Sequence, residues 1–292
     1  MQIKTIGDRT LAISGKVFRS ARLRDEPYAC LDKPEPFLEE LKRARLGIDL
    51  YSFVRGISDQ TPRYAYHCEM DSLAVLPIST YDHWWKKEIK DKTRNMVRKA
   101  QKGGVTLRIC EFNDDFVKGI MEIYNESPMR QGKPFQHFGK DFETIKRDHA
   151  TFPDRSEFIG AFHENAMIGF AKLVHSPDAS SLMQIISKVS LRDKAPTNAL
   201  LAKAVEICAQ KNIPYLHYGI WSRRGLGDFK KHHGFVQFNI PRYFVPLNFK
   251  GAMALKLKLH RRLADRLPTK VLDDLILLRN RWHSFKFGNA TR

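Results

Sequence analysis

Lys188–Phe235 reads KVSLRDKAPTNALLAKAVEICAQKNIPYLHYGIWSRRGLGDFKKHHGF, and the order of signals along it decides the fold class. Pro196 stands just before Leu200, Leu201, Ala204, Val205, Ile207 and Cys208, apolar residues at helical spacing. Asn212-Ile213-Pro214 stops that helix, and Tyr215–Trp221 reads as a buried strand. Leu226, Phe229 and Lys230 open a second short helix that closes on Gly234-Phe235, with Asp228 at its start and Lys230 at its surface. The stretch thus reads as strand, polar turn, helix, strand, turn and short helix.

Working outward, Val105–Cys110 reads as a strand and Asp114–Asn125 as a helix carrying Phe116, Ile120, Ile123 and Tyr124. The polar stretch SPMRQGKPFQHFGKD leads to a helix near Phe142–Ala150. Glu157–Phe162 and Ala166–Val174 form a hairpin about Glu164-Asn165, and Leu182–Val189 is a further strand. Gln237–Pro246 is the last strand, broken by Pro241. The predicted order from Val105 to Pro246 is therefore β-α-α-β-β-β-α-β-α-β. Before it, Leu11–Phe18 and Tyr64–Pro77 read as strands, Pro36–Lys42 as a helix, and residues 85–102 as a basic helix stopped by Gly103-Gly104.

The chain has 292 residues, 42% hydrophobic and 28% charged, ordinary values for a globular protein. No apolar run reaches the roughly 20 residues needed to cross a bilayer. The N-terminus MQIKTIGDRT lacks the apolar core of a secretory signal. These readings predict a cytoplasmic protein. Cys30, Cys68, Cys110 and Cys208 are scattered, with no metal-ligand spacing, so no metal site is expected and Cys208 is read as a buried hydrophobe. The net charge of +18 favours an anionic partner. It concentrates in residues 86–102 and in the tail from Lys250, where Leu255, Leu259, Leu263 and Leu267 recur every four residues among lysines and arginines. After Pro268 the pattern resumes from Val271 to Phe285 with Trp282, giving a pair of basic amphipathic helices.

The strand-helix-strand-helix run ending F-K-x-x-x-G-F resembles the second half of the GNAT acyltransferase fold, and in particular FemAB-like members. The passage R-N-M-V-R-K-A-Q-K-G-G-V, Arg94–Val105, is similar to a FemAB-like helix-to-strand passage. The resemblance covers about residues 85–248. It implies an α/β (α+β) fold, a GNAT-like central mixed, mostly antiparallel sheet flanked by helices, with a helical C-terminal tail. The implied domains are an N-terminal segment at 1–104, read as a degenerate GNAT-like half, the acyltransferase domain at 105–248, and the tail at 249–292. It also implies acyl transfer by direct attack of an amine or hydroxyl acceptor, a small molecule or a peptide. No tightly bound cofactor is expected. Acyl-CoA is the co-substrate, with aminoacyl-tRNA as the alternative donor, because the glycine-rich pyrophosphate loop of acetyl-CoA enzymes is replaced here by K-A-P-T-N-A.

Within that frame four stretches carry the candidate residues. At the strand-to-helix turn, Lys194, Thr197 and Asn198 combine helix N-terminal amides with positive charge, an anion site, or else Thr197 and Asn198 act as simple caps. Arg94, Arg98 and Lys102 share one helix face that suits a phosphate chain or water equally. Tyr124–Asp141 lines the acceptor side of a GNAT-like cleft. There Glu126 or His137 is a candidate general base, Arg130 a holder of an acidic acceptor, and Tyr124, Gln131 and Lys140 substrate contacts. On the central strand Gln184 meets the substrate, and the amides near Ile186, Ser187 and Lys188 bind the acyl carbonyl. Tyr218 is placed to protonate the leaving group, or to be a core tyrosine, with Trp221 flanking the substrate. The reading from a different class is a non-catalytic module on the same fold that binds RNA, or an anionic membrane at its inner face through the tail.

Overall fold

Apolar alternation becomes strand and 3.6-residue periodicity becomes helix along most of the chain. A computed structural model describes residues 1–26, 31, 33–130, 132–222 and 225–261. The first elements are β1 (Gln2–Ile6), β2 (Arg9–Ser14), β3 (Ser20–Leu23), α1 (Pro34–Arg43), β4 (Leu50–Val54) and β5 (His67–Pro77). Then come α2 (Tyr81–His83), α3 (Asp91–Lys102), β6 (Thr106–Cys110), α4 (Asp114–Asn125), and the short hairpin of β7 (Met129–Arg130) and β8 (Lys133–Pro134). They are followed by α5 (Phe142–His149), β9 (Ser156–His163), β10 (Ala166–His175), β11 (Ser180–Ser187) and α6 (Pro196–Gln210). The last are β12 (Tyr215–Ile220), α7 (Gly225–His232), β13 (Val236–Pro246) and α8 (Phe249–Lys256). From β6 to β13 this is the predicted order with the small hairpin added.

The chain divides into two compact units. The first comprises Met1–Ile78, His175–Ser181 and Asn212–Arg262. Its strands run β1-β2-β3-β4-β13-β5-β12, antiparallel throughout except for β3 on β4. Phe37, Leu38 and Leu41 of α1 pack on a core that includes Leu11, Ile13, Tyr51, Phe53 and Tyr243. Phe53 and Tyr243 stack at 5.1 Å, and Tyr64 meets Tyr243 edge-on at 5.1 Å. At the other side of the unit β12 and β11 pair in parallel only at Ser180–Leu216 and Ser181–His217.

Pro241 does not break β13. The strand runs through it, paired with Met70 of β5, and pairing with β4 begins only at the next residue, Arg242. The missing N–H thus falls where the second flank has no ladder to supply. Arg242 then grips Glu26 with both terminal nitrogens, at 3.0 and 2.8 Å, and Asp71 at 2.7 Å. Lys230, expected at the surface, is 2% exposed. Its Nζ donates to the Ile220 carbonyl at 2.8 Å and lies 4.7 Å over the Tyr218 ring, and burial brings its pKa down to about 8.

The predicted helix from Leu255 is not continuous. α8 ends at Lys256, and Lys258 adopts a left-handed backbone (φ 55°). The chain is then fastened to β5, because His260 Nε2 lies 2.8 Å and Arg261 Nε 2.9 Å from Glu69 Oε1. Residues 262–292, which hold the rest of the predicted tail, and Cys30 lie outside the described residues.

The second unit comprises Ser79–Val174 and Leu182–Lys211 among the described residues. Its strands run β11-β10-β9-β6, with β9 antiparallel to both neighbours. The β9–β10 hairpin turns on Glu164 (φ 51°) and Asn165 (φ 64°), both left-handed as a type I′ turn requires. Phe116, Val117, Ile120, Ile123 and Tyr124 of α4 and Ile145 of α5 pack on Phe158, Met167 and Phe170. Leu200, Leu201, Ala204, Val205, Ile207 and Cys208 of α6 are all buried, as the periodicity predicts.

The basic helix predicted over 85–102 starts late. Trp84–Glu88 forms a wide π-type turn, and α3 begins at Asp91. Arg94 explains the junction. Its Nη1 donates to the carbonyls of Trp85 at 2.7 Å and Ile89 at 2.8 Å, and its Nη2 reaches Asp91 at 2.6 Å. Arg94 therefore satisfies carbonyls that the turn orphans rather than facing a phosphate chain.

Gly251 sets the seat of α8, since a Cβ there would stand 1.8 Å from the Asp49 carbonyl oxygen. Gly251→Ala is expected to destabilise the first unit by about 1–3 kcal/mol through overpacking, measurable as a lower melting temperature.

Candidate functional site

The C-terminal end of α4 carries the residues that the sequence singled out, and the helix delivers them reproducibly. Asn113 caps it by accepting from the Phe116 amide, and Asp114 and Asp115 sit in the positive first turn. Its apolar stripe ends in Tyr124, which is 1% exposed. The phenol oxygen lies 2.9 Å from His149 Nε2 and accepts from Gln184 Nε2 at 3.1 Å. Gln184 Nε2 also lies 3.4 Å from His137 Nε2, and the His137 ring stacks on Tyr124 at 4.6 Å. Gln136 Nε2 approaches the same His137 nitrogen at 3.2 Å. Four side chains from α4, α5, β11 and the loop before α5 thus form one polar chain, His149–Tyr124–Gln184–His137.

Both imidazoles are neutral at pH 7. Burial, helped by the charge of Lys172, brings His149 down to about 4. Burial and the charge of Lys140 lower His137. With amide nitrogens facing it, His137 Nε2 is placed to accept, while Nδ1 is buried with no hydrogen-bond partner. Two amides thus share the one Nε2 lone pair, and His137 can act as a general base once a substrate N–H or O–H displaces the exposed Gln136.

The neighbouring charges are occupied by the scaffold. Glu126 accepts from the Ser190 amide at 2.9 Å, from the Val189 amide and from the Ser190 hydroxyl. Burial raises its pKa, but these hydrogen bonds and Arg130 outweigh burial and leave it lowered, so the carboxylate is a poor proton acceptor. Arg130 donates to the Ser187 carbonyl at 2.7 Å and the Ile123 carbonyl at 2.7 Å, and lies 4.4 Å over the Phe135 ring. It ties the end of α4 to the end of β11. Lys140 pairs with Asp148 at 2.6 Å. Gln131 lies outside the described residues.

Ile186 and Ser187 close β11, and Ser187 Oγ meets Thr197 Oγ1 at 2.8 Å in the first turn of α6. The Lys188 amide is spent on the Ile168 carbonyl at 2.7 Å, and its Nζ reaches Glu122 at 3.4 Å. β10 bulges between Met167 and Gly169, and a Cβ on Gly169 would stand 3.0 Å from Ser187 Cβ, so glycine permits the close approach of β11 there. No side chain caps α6. Ala195 is its N-cap in a left-handed backbone (φ 54°), and the amides of Asn198 and Ala199 both turn back to the Ala195 carbonyl. Lys194 ends the 3₁₀ turn before it.

Tyr218 and Trp221 belong to the first unit. Tyr218 sits where the β12–β5 register shifts, and burial pushes its pKa up to about 12. Trp221 donates its amide to the Ser72 carbonyl at 2.9 Å, and Lys231 lies over its ring at 5.8 Å. His67, Glu69 and His260 bring three ligand-type atoms within 4.8 Å of one another, but Arg261 holds the same Glu69 oxygen, and a guanidinium there opposes a metal cation.

Sequence reading missed His149 and Lys172. Lys172 is 0% exposed, and its Nζ donates to the carbonyls of His149 at 2.7 Å and Thr151 at 2.6 Å and to Thr151 Oγ1 at 3.0 Å. A lone lysine inside the apolar run AMIGFAKLVH was the available signal. His149 left no such mark.

No known protein family matches this sequence, and no curated protein matches it. Its structure is similar to that of FemX, with 11% identity, coverage of 85% of this chain and 86% of that one, and a TM-score of 0.54. It is also similar to the C-terminal domain of a lysylphosphatidylglycerol synthetase from Agrobacterium fabrum, at 14% identity, 85% and 83% coverage and a TM-score of 0.56. L-PGS from Bacillus licheniformis gives 14% identity, 88% and 87% coverage and a TM-score of 0.56. The fold is shared with FemX and these synthetases, as the FemAB-like resemblance of the sequence implies.

The depressed His149 fixes the sign of a pH effect. Between its ordinary value of 6.5 and about 4, the unfolded chain binds a proton that the folded chain refuses, so stability falls as pH drops through that window. The full loss is about 3 kcal/mol. Urea unfolding at pH 7 and pH 4 is expected to show His149→Gln losing less stability than the natural chain by an amount of that order.

Proposed function

We propose that this chain, built on the fold shared with FemX and lysylphosphatidylglycerol synthetase, is a transferase that moves an aminoacyl or acyl group onto an amine or hydroxyl. The observation that carries the reading is the neutral His137, seated at the end of the buried chain His149–Tyr124–Gln184 with its Nε2 as acceptor. Under this reading the acceptor nitrogen or oxygen attacks the donor carbonyl and the new bond to carbon forms. His137 takes the proton, the bond to the donor's oxygen or sulfur breaks, and His137 returns that proton to the leaving group. Gln184 and Tyr124 keep the imidazole in its tautomer and orientation. Glu126 and Arg130 act as positioning residues, holding the β11–α6 turn and the end of α4.

Between the donors, aminoacyl-tRNA is favoured over acyl-CoA. The first turn of α6 spends the Asn198 amide on its own Ala195 carbonyl, and no glycine loop precedes it. Both features narrow a pyrophosphate site there. The excess of positive charge suits a polynucleotide better than a single cofactor.

The test combines binding with turnover. Melting curves of the full chain with bulk tRNA are expected to shift upward at low salt and to lose the shift at moderate salt. A shift with acyl-CoA that survives moderate salt, and none with tRNA, would reassign the donor. Once a donor and acceptor pair turns over, His137→Ala is expected to lower kcat by about 100-fold or more at unchanged melting temperature. Glu126→Ala is expected to lower kcat and melting temperature together. Full turnover by His137→Ala would remove the base assignment, and tRNA binding without any turnover across donors would favour the binding-module reading.

A further inference from the structure

α8 is amphipathic the wrong way round for a helix whose only task is to pack. The residues it buries are small, Gly251 and Ala254. Leu255 is half-buried, whereas Phe249 and Met253 point outward, 81% and 40% exposed, with the C-cap residue Leu257 at 58%. At steps of four residues these three drift by only about 40° each around the helix, so they make one stripe. Val17, at 80% exposure, extends the patch, because Lys250 Nζ of α8 bonds to the Val17 carbonyl. Leu259, 48% exposed, lies just beyond the helix.

The surround is cationic. Lys16, Lys250 and Lys256 are exposed beside the stripe, and neither 14–24 nor 247–261 contains an aspartate or glutamate. Two carboxylates adjoin it and both are engaged: Asp49, 6% exposed, by the Arg19 amide, Asn248 and Lys250 at 3.8 Å, and Glu69 by His260 and Arg261. An exposed aromatic and aliphatic stripe flanked by lysines, with its adjoining carboxylates already engaged, matches a lipid surface that offers acyl chains beneath anionic headgroups.

We propose that this face of α8, together with the Val17 loop, docks the protein on an anionic membrane surface. Phe249, Met253 and Leu257 enter the interface and Lys16 and Lys256 meet the headgroups. The contact is independent of the transfer chemistry and lies on the described start of the tail for which the sequence had suggested such a role.

Co-flotation of the full chain with phosphatidylcholine vesicles, with and without 30% phosphatidylglycerol, tests it. Binding is expected only to the anionic vesicles and is expected to weaken with salt. The triple variant Phe249→Ser, Met253→Ser, Leu257→Ser is expected to bind roughly tenfold or more weakly at unchanged melting temperature. Lys16→Gln with Lys256→Gln is expected to weaken binding by roughly tenfold or more. Anionic-vesicle binding undiminished in the triple variant, or absent in the natural chain, overturns the proposal. A natural-chain dimer that the triple variant dissociates, without vesicle binding, assigns the stripe to a second copy instead. A melting temperature lowered by the triple variant, again without vesicle binding, assigns it to residues 262–292 of the same chain. Vesicle binding that tRNA competes away equally in natural and triple-variant chains assigns the surface to nucleic acid.

Discussion

One carboxylate organises the scaffold of the candidate site. Glu126, at the end of α4, collects the amides of Val189 and Ser190 and the Ser190 hydroxyl from the turn that follows β11. Arg130 completes the tie by reaching the Ser187 and Ile123 carbonyls. Because β11 carries Gln184 and α4 carries Tyr124, the register of one element on the other fixes the distance between those two side chains. The Gln184–Tyr124–His149 contacts, and with them the tautomer of His137, depend on that tie. Charge-assisted hydrogen bonds to backbone amides are strong and directional enough for the purpose.

Two ammonium groups are buried by a related device. Lys172 and Lys230 each lie inside a unit, and each finds carbonyl oxygens that secondary structure has left over: those of His149 and Thr151 for Lys172, and that of Ile220 for Lys230. A buried charge without such partners would cost far more than a domain can spare. With them, the lysines close loops that have no ladder of their own, after α5 and after β12. Lys172 also lowers the pKa of His149 from behind and so helps keep the polar chain neutral.

Local chemistry was readable in the sequence and long-range pairing was not. The Glu164-Asn165 turn, the burial of Cys208 and the helix beginning at Pro196 follow from neighbours within a few positions, and the structure repeats them. Glu126, Arg130 and His137 stood out by type and setting. Their roles diverged because the partners of Glu126 lie 63 and 64 residues away and the acceptor of Arg130 on Ser187 lies 57 away. Lys230 was misread for the same reason on a smaller scale, since a basic residue on a short helix looks solvated until the preceding strand's last carbonyl is placed above it. Pro241 was misread because a strand tolerates proline where one neighbouring strand has stopped, a fact about β4 rather than about β13.

The place of β13 has a consequence for how the chain is made. The strand lies between β4 and β5 in the first unit, yet it is encoded at Val236–Pro246 while its neighbours are encoded at Leu50–Val54 and His67–Pro77. During synthesis the first unit leaves the ribosome early with a gap at the centre of its sheet, exposing two strand edges until almost the whole chain has emerged. The described part of the second unit ends at Lys211 and is complete sooner. The described part of the later-encoded unit can therefore close first, while the N-terminal strands wait for β13. Such non-local closure makes folding slow and leaves the waiting edges prone to pair with other chains.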